Sequence, residues 1–153
     1  EENVTQQISI QDSREENIYK FKDNKTDTDK EQKDEKKTKT ILIAEDTDSN
    51  YILTKAILGK LYHLERAKDG MEVVTMFETV RPDLILMDMK MPNLGGLDAT
   101  KIIRELSPDI PIIALTAYAY EHDKQAAFDA GCNDFLTKPF TQEILKETIK
   151  KWL

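Results

Sequence analysis

Short apolar runs alternate with amphipathic helical patterns along residues 40–153, and this alternation limits the folds that the chain can adopt. The runs at 41–44, 84–87 and 110–115 carry no charge, as expected of parallel strands that are buried on both faces. A weaker, charged run at 62–67 predicts an edge strand, and a short run at 134–136 predicts a fifth strand. The apolar spacing predicts helices over residues 50–61, 70–80, 97–106, 118–130 and 141–152, with Asp48 and Ser49 capping the first and Thr141 the last.

Five strand–helix units predict an α/β fold. Crossovers between parallel strands are right-handed, so the helices are expected to cover both faces of the sheet. The simplest architecture is a flavodoxin-like (βα)5 fold, in which the five-stranded parallel sheet has the order 2-1-3-4-5. In such a sheet, ligands bind outside the carboxyl ends of the strands, at the point where the strand order reverses.

The first 39 residues differ in composition from the rest of the chain. They contain 11 acidic and 9 basic residues, and residues 23–39 include no large apolar side chain. Such a stretch cannot bury enough apolar surface to offset the entropy lost on ordering. We therefore predict a charged linker or tail over residues 1–39 and a folded domain over 40–153. The alternating segments 8–10 and 19–21 fit either two short strands at the edge of an upstream domain or scattered apolar residues in a tail.

Composition also argues against several classes of protein. The formal net charge of -7 argues against direct nucleic-acid binding through the whole surface. No apolar run approaches the ~20 residues that a membrane-spanning helix needs, and no signal peptide is visible, so a cytoplasmic location is expected. The single cysteine, Cys132, permits no internal disulfide and is expected to be a small buried apolar residue.

Polar residues follow the predicted strands at the edge of the sheet where the carboxyl ends meet. Glu45 and Asp46 follow the first strand, Asp88 the third, Thr116 the fourth and Lys138 the fifth. Each residue alone has an ordinary structural explanation, such as a helix cap or a solvated charge. Their occurrence at four strand ends of one sheet predicts that they share a site.

The chemistry of these residues indicates phosphoryl transfer. Three neighbouring carboxylates repel one another, and a bound divalent cation removes the repulsion. Mg²⁺ prefers oxygen ligands and keeps several waters, which phosphate oxygens can replace. Lys138 and Thr116 can then bind phosphoryl oxygens, while Asp88 acts as the nucleophile and forms an aspartyl phosphate.

These residues resemble the receiver (response-regulator) domains of two-component phosphorelays, over roughly residues 40–153. The motifs that carry the resemblance are the acidic pair Glu45-Asp46, Met-Asp-Met-Lys-Met-Pro at 87–92 with Gly96, Leu-Thr-Ala at 115–117 and Lys-Pro-Phe at 138–140. The resemblance implies that Asp88 accepts a phosphoryl group from a phosphohistidine of a histidine kinase or a histidine phosphotransfer domain. It also implies that the domain itself catalyses both this transfer and the later dephosphorylation.

The resemblance assigns a metal site and a switch. Mg²⁺ would be held by Asp46, Asp88 and the backbone carbonyl of Lys90, with Glu45 acting through water.

On phosphorylation, Thr116 would move toward the phosphoryl group and draw an aromatic residue inward, which is Phe135 in this chain. The family often has Tyr at that position, and Phe cannot make the hydroxyl hydrogen bond. Lys90 and Tyr118 lie two residues after Asp88 and Thr116, at positions that tune hydrolysis of the aspartyl phosphate in the family.

The predicted first helix carries more apolar residues than one buried stripe requires. Residues 48–53 resemble the same segment of receivers that are attached to hybrid sensor kinases. We predict that Ile52, Leu53 and Ala56 form a docking strip for a helical, histidine-bearing partner. A receiver dimer is a further expectation.

The sequence is compatible with more than one kind of parent protein. The chain begins with Glu1 rather than Met and stops at Leu153, directly after its last predicted helix, which favours the C-terminal receiver of a hybrid histidine kinase whose parent chain is membrane-anchored. The alternatives are a free-standing response regulator without an output domain and a receiver-like binding module that is never phosphorylated. A haloacid-dehalogenase-like phosphatase would need a second Asp at the position of Lys90.

Overall fold

Parallel strands form the centre of the part of the chain that the computed structural model describes, residues 38–153. They are β1 (Thr40–Ala44), β2 (His63–Ala67), β3 (Leu84–Asp88), β4 (Ile112–Thr116) and β5 (Asp134–Thr137). The strands lie in one sheet in the order β2-β1-β3-β4-β5, which confirms the predicted α/β fold and strand order. The predicted linker or tail at residues 1–39 lies outside the described residues up to residue 37.

Each strand is followed by a helix. The helices are α1 (Asp48–Leu58), α2 (Gly70–Val80), α3 (Gly96–Leu106), α4 (Glu121–Ala130) and α5 (Gln142–Trp152). Helices α1 and α5 pack on one face of the sheet, against a cluster that includes Ile41 and Ile43 of β1. Helices α2, α3 and α4 pack on the other face, against a cluster that includes Leu42 and Ala44 of β1. This alternation follows from the two-residue period of a strand and confirms that helices cover both faces.

Burial along the strands explains why their sequences differ. All residues of β3 and β4 are buried, which matches the uncharged sequences of β4 and of β3 up to Met87. Strand β2 lies at the edge of the sheet, as predicted, and its exposed and partly buried positions alternate. The predicted burial of Cys132 is also confirmed.

Two helix starts differ from the prediction. Asp48 and Ser49 do not cap α1, because the N-cap is Thr47, which makes no side-chain cap hydrogen bond, and both residues lie inside the helix. Helix α4 begins at Glu121, three residues after the predicted start, since residues 118–120 run outside the helix. The predicted cap of α5 is confirmed: the hydroxyl of Thr141 accepts a hydrogen bond from the backbone N–H of Ile144 at 3.2 Å.

Among residues 38–153, no helix combines the length and the apolar character that a membrane crossing requires.

Candidate functional site

The ends of β1 and β3 place three acidic residues next to one another. Glu45 and Asp46 follow β1 directly, and Asp88 is the last residue of β3. One carboxylate oxygen of each residue lies within 4.8 Å of those of the other two, which is close enough to hold one cation. Glu45 and Asp88 are buried, whereas Asp46 is exposed, so the cluster opens to solvent on the Asp46 side.

The ammonium group of Lys138 is shared by two of these carboxylates. Its Nζ donates to Oε2 of Glu45 at 2.6 Å and to Oδ2 of Asp88 at 2.9 Å. The backbone N–H of Lys138 donates to the carbonyl of Thr116 at 2.6 Å, which fixes the residue beside the end of β4, and the peptide bond to Pro139 is cis. Counting Asp46, three carboxylates face one ammonium, and the formal charge of the group is -2 when all of them are ionised.

The ionisation of the two buried carboxyls is set by competing effects. Burial raises the pKa of Asp88 above its ordinary value, and the hydrogen bond and charge of Lys138 oppose this rise without cancelling it. Burial also acts to raise the pKa of Glu45, but Lys138, the Thr47 N–H and the Asn50 amide outweigh it and hold the pKa below its ordinary value. For Lys138, burial acts to lower the pKa, and the two carboxylates outweigh burial and raise it. The ammonium therefore stays charged at neutral pH.

The turn after β3 holds the Asp88 carboxylate in place at the carboxyl end of the strand. The backbone N–H of Lys90 donates to Oδ1 of Asp88 at 3.1 Å, so the Lys90 backbone lies beside the carboxylate. The N–H of Gly96 donates to the carbonyl of Met89 at 3.2 Å and closes the turn. A side chain at Gly96 would collide with the carbonyl of Asp88, which explains why glycine begins α3 here.

Thr116 lies on β4, which pairs with β3, and Phe135 lies on β5, which pairs with the other side of β4. Thr116 is the buried last residue of β4, and its Oγ1 accepts a hydrogen bond from the N–H of Tyr118 at 3.2 Å. Phe135 is half-buried within β5 and packs against the core on the side of α2, α3 and α4. The ammonium of Lys124 lies 5.8 Å from the centre of the Phe135 ring. The structure therefore places Thr116 at the rim of the site, whereas Phe135 lies level with Ala114, two residues before the end of β5.

The three residues predicted to dock a partner lie on the solvent side of α1. Ile52 is 64% exposed, Leu53 is 62% exposed, and Ala56 is also exposed. A cleft of about 310 Å³ separates α1 from the segment after β5 and joins this surface to the acidic site. Its walls include Leu53, Pro139 and Phe140, and it also touches Glu45 and Lys138.

Sequence reasoning missed several side chains that shape the site. The side-chain amide of Asn50, in the first turn of α1, donates to Oε1 of Glu45 at 3.4 Å. The sequence signal for this contact was an amide residue at the start of a helix that follows an acidic pair. Tyr120 and His122 continue a stack that begins at Tyr118, with ring centres 6.0 Å and 5.7 Å apart. The ammonium of Lys90 lies 4.4 Å from the centre of the Tyr118 ring. Nothing in the sequence pattern indicated this stack, because the segment reads as the start of a helix.

Comparisons with known proteins agree with this geometry. The family model described as the response regulator receiver domain matches residues 41–150. Part of the hybrid signal transduction histidine kinase I of Dictyostelium discoideum is 39% identical in an alignment of 119 residues that covers 71% of this chain and 7% of that protein. The polar-differentiation response regulator DivK of Brucella ovis is 34% identical in an alignment of 119 residues that covers 76% of this chain and 97% of that protein.

A solved structure shows the same likeness in three dimensions. The receiver domain of the sensor histidine kinase PA1611 from Pseudomonas aeruginosa PAO1 is 38% identical, and the two structures superpose with a TM-score of 0.70. The match covers 74% of this chain and 96% of that chain. A magnesium ion is coordinated in the active-site cleft of that domain.

Proposed function

The chain belongs to the response regulator receiver domain family of two-component systems, and from this membership we propose that it is a phosphoacceptor. Receiver domains work with histidine kinases or phosphotransfer partners. In this proposal Asp88 accepts the phosphoryl group from a phosphohistidine of such a partner. The observation that carries it is the Lys138 ammonium, which bridges Glu45 and Asp88 at 2.6 Å and 2.9 Å beside the exposed carboxylate of Asp46.

The donor set fits Mg²⁺. It consists of carboxylate oxygens, the formal charge of the carboxylates together with Lys138 is -2, and Asp46 is exposed, so bound water and phosphate oxygens have access. Asp46, Asp88 and the carbonyl of Lys90 would hold the ion, with Glu45 acting through water. When bound, the ion offsets the negative charge of the three carboxylates and of an incoming phosphoryl group.

The protein side chains account for the rest of the transfer. A carboxylate oxygen of Asp88 attacks phosphorus, the new O–P bond forms as the P–N bond to histidine breaks, and the imidazole leaves with the bonding electron pair. Lys138 donates to the Asp88 carboxylate and is therefore placed to bind a phosphoryl oxygen once the phosphoryl group is bonded to Asp88. The hydroxyl of Thr116 ends the adjacent strand and can donate a hydrogen bond to another phosphoryl oxygen.

Partner docking is assigned to the exposed strip on α1. Ile52, Leu53 and Ala56 present apolar surface beside the cleft that leads to the site, and a helix carrying a phosphohistidine can cover them. In this arrangement Phe135 relays the movement of Thr116 to the surface around β5.

For the parent protein we propose a hybrid histidine kinase, with residues 1–39 as the linker in front of the receiver. The support is the 39% identity to a hybrid kinase of Dictyostelium discoideum, of which the matched region is 7%. A free-standing response regulator is the second candidate, and it is favoured by the match to 97% of a Brucella response regulator.

Binding of beryllofluoride, a phosphoryl mimic, tests the proposal directly. With Mg²⁺ present, we expect the amide NMR signals of residues 88–90 and 116–118 to shift, and Asp88→Asn to abolish the shifts. A folded protein whose signals do not respond would instead be a receiver-like binding module that is never phosphorylated.

A further inference from the structure

Arg66 ties the segment between β1 and α1 to the edge strand β2. Its side chain is 16% exposed, its Nε donates to the carbonyl of Glu45 at 3.1 Å, and its Nη1 donates to Oδ1 of Asp48 at 2.7 Å. The guanidinium carbon lies 4.7 Å from the centre of the Tyr51 ring. One side chain thus contacts the acidic segment at its first residue and the helix that follows it at two further positions.

Asp46 lies between these contacts, and its carboxylate belongs to the acidic cluster. The carboxylate of Glu45 is held by Lys138, Thr47 and Asn50. Asp46 is exposed, so the position of its carboxylate depends on the course of the backbone around it. Arg66 holds the backbone carbonyl directly before Asp46 and the side chain of Asp48 two residues after it.

The contacts of Arg66 are not those that stability alone would favour. Asp48 is 76% exposed in its side chain, and an ion pair with such a residue stabilises little. The Nη2 of Arg66 is buried and has no hydrogen-bond partner among residues 38–153, which is unfavourable for folding. The planar guanidinium instead makes two hydrogen bonds and lies over the Tyr51 ring, a combination that a lysine ammonium cannot reproduce.

We propose that Arg66 is a positioning residue for the cation site, acting through the backbone that carries Asp46. The inference rests on the proposed function, since it concerns the same Mg²⁺ site. Two effects of Arg66 oppose each other there. Its positive charge weakens the binding of a cation nearby, whereas its hydrogen bonds hold the ligand in place. A variant that keeps the positive charge but loses the hydrogen bonds of the guanidinium therefore isolates the positioning effect.

Arg66→Lys is that variant, and Arg104→Lys is its matched control. The Arg104 guanidinium makes three hydrogen bonds, compared with two for Arg66: to Gly131 O at 2.8 Å, to Ser107 O at 3.1 Å and to Asn133 Oδ1 at 2.7 Å. These bonds lie at the amino-terminal edge of the sheet, where Asn133 also accepts from the first residue of β4. Both variants lose a comparable set of hydrogen bonds, and only one of them adjoins the acidic site.

Calorimetric titration with Mg²⁺ measures the effect without any transfer reaction. We expect Arg66→Lys to weaken Mg²⁺ binding about three- to tenfold, toward the range seen for residues that orient metal ligands, and Arg104→Lys to leave it unchanged. Hydrogen exchange in metal-free protein should show faster exchange of the Thr47 amide in Arg66→Lys alone. If Arg66→Lys does not fold, Tyr51→Leu removes the ring that supports the guanidinium and should weaken binding about twofold.

Wild-type affinity in Arg66→Lys, or equal weakening in both variants, would overturn the inference and leave the proposed function intact. If the unaltered protein binds no Mg²⁺, the proposed function fails, and the inference fails with it.

Discussion

Replacing Lys138 by methionine removes the ammonium that pairs with two buried carboxylates. The side chains of Glu45 and Asp88 are 4% and 10% exposed, and each accepts a hydrogen bond from this ammonium. Methionine keeps most of the side-chain volume, so the change acts mainly on charge and hydrogen bonding. Removing one partner of a buried ion pair costs about 3–5 kcal/mol. Lys138 itself is 21% exposed, so we take the lower limit, about 3 kcal/mol, which lowers the Tm of a domain of this size by roughly 10 °C.

The loss of stability in Lys138→Met should depend on pH, and the direction of this dependence follows from the pKa of Glu45. In the wild-type protein this pKa is lowered, so ionised Glu45 stabilises the fold above its ordinary pKa, and the gain disappears as pH falls through the lowered value. Without Lys138, burial raises the pKa of both carboxyls, and stability falls as pH rises. The Tm difference between the proteins should therefore be largest near about pH 7.5 and shrink toward about pH 4.

Thermal melts followed by circular dichroism in metal-free buffer measure this difference, with Lys101→Met, at an exposed position of α3, as the control for loss of a lysine. Added Mg²⁺ should raise the Tm of Lys138→Met more than that of the wild type, because the ion supplies the missing positive charge. An equal Tm difference at both pH values, or no effect of Mg²⁺ on the variant, would refute the charge balance described here.

Three further outcomes are expected. Asp88→Asn should raise the Tm by a few degrees at neutral pH, because the raised pKa of Asp88 means that its ionisation opposes folding; the gain should vanish below its ordinary pKa, and a constant gain would contradict this. Tyr118→Ala should shorten the lifetime of the aspartyl phosphate, measured by loss of label, because the bulky Tyr118 ring, which lies against the Lys90 ammonium, would no longer shield the phosphoryl group from water; an unchanged lifetime would remove that role. Ile52→Glu should lower kcat/KM for transfer from the cognate partner about tenfold, as expected from the loss of one buried aliphatic contact, and leave labelling by acetyl phosphate unchanged.

The central strands could be predicted from the sequence because they are buried on both faces. In β3 and β4 every position is buried, so an uncharged run has one simple structural meaning. Because the strands are parallel, the residues that end or follow them lie at one edge of the sheet, and these include Glu45, Asp46, Asp88 and Lys138. Parallel strands bring their carboxyl ends together wherever the intervening helices lie.

The helix starts and the supporting contacts could not be predicted in the same way. Residues 118–120 have a composition compatible with a helix, but the Tyr118 N–H donates to the Thr116 hydroxyl and the Tyr118 ring stacks on Tyr120, two local contacts that a helical pattern does not indicate. Asp48 is of a residue type that often caps helices, but its carboxylate pairs with Arg66, which lies 18 positions away on β2. A single sequence carries no pattern for such pairs.

Transfer from a phosphohistidine tests the central claim most directly. The chain is incubated with Mg²⁺ and a phosphorylated histidine phosphotransfer domain, and the labelled residue is identified by borohydride reduction and peptide mass spectrometry. The account predicts one phosphoryl group, on Asp88, that requires Mg²⁺ and is absent from Asp88→Asn. A label on another residue, or the same label in Asp88→Asn, would contradict it.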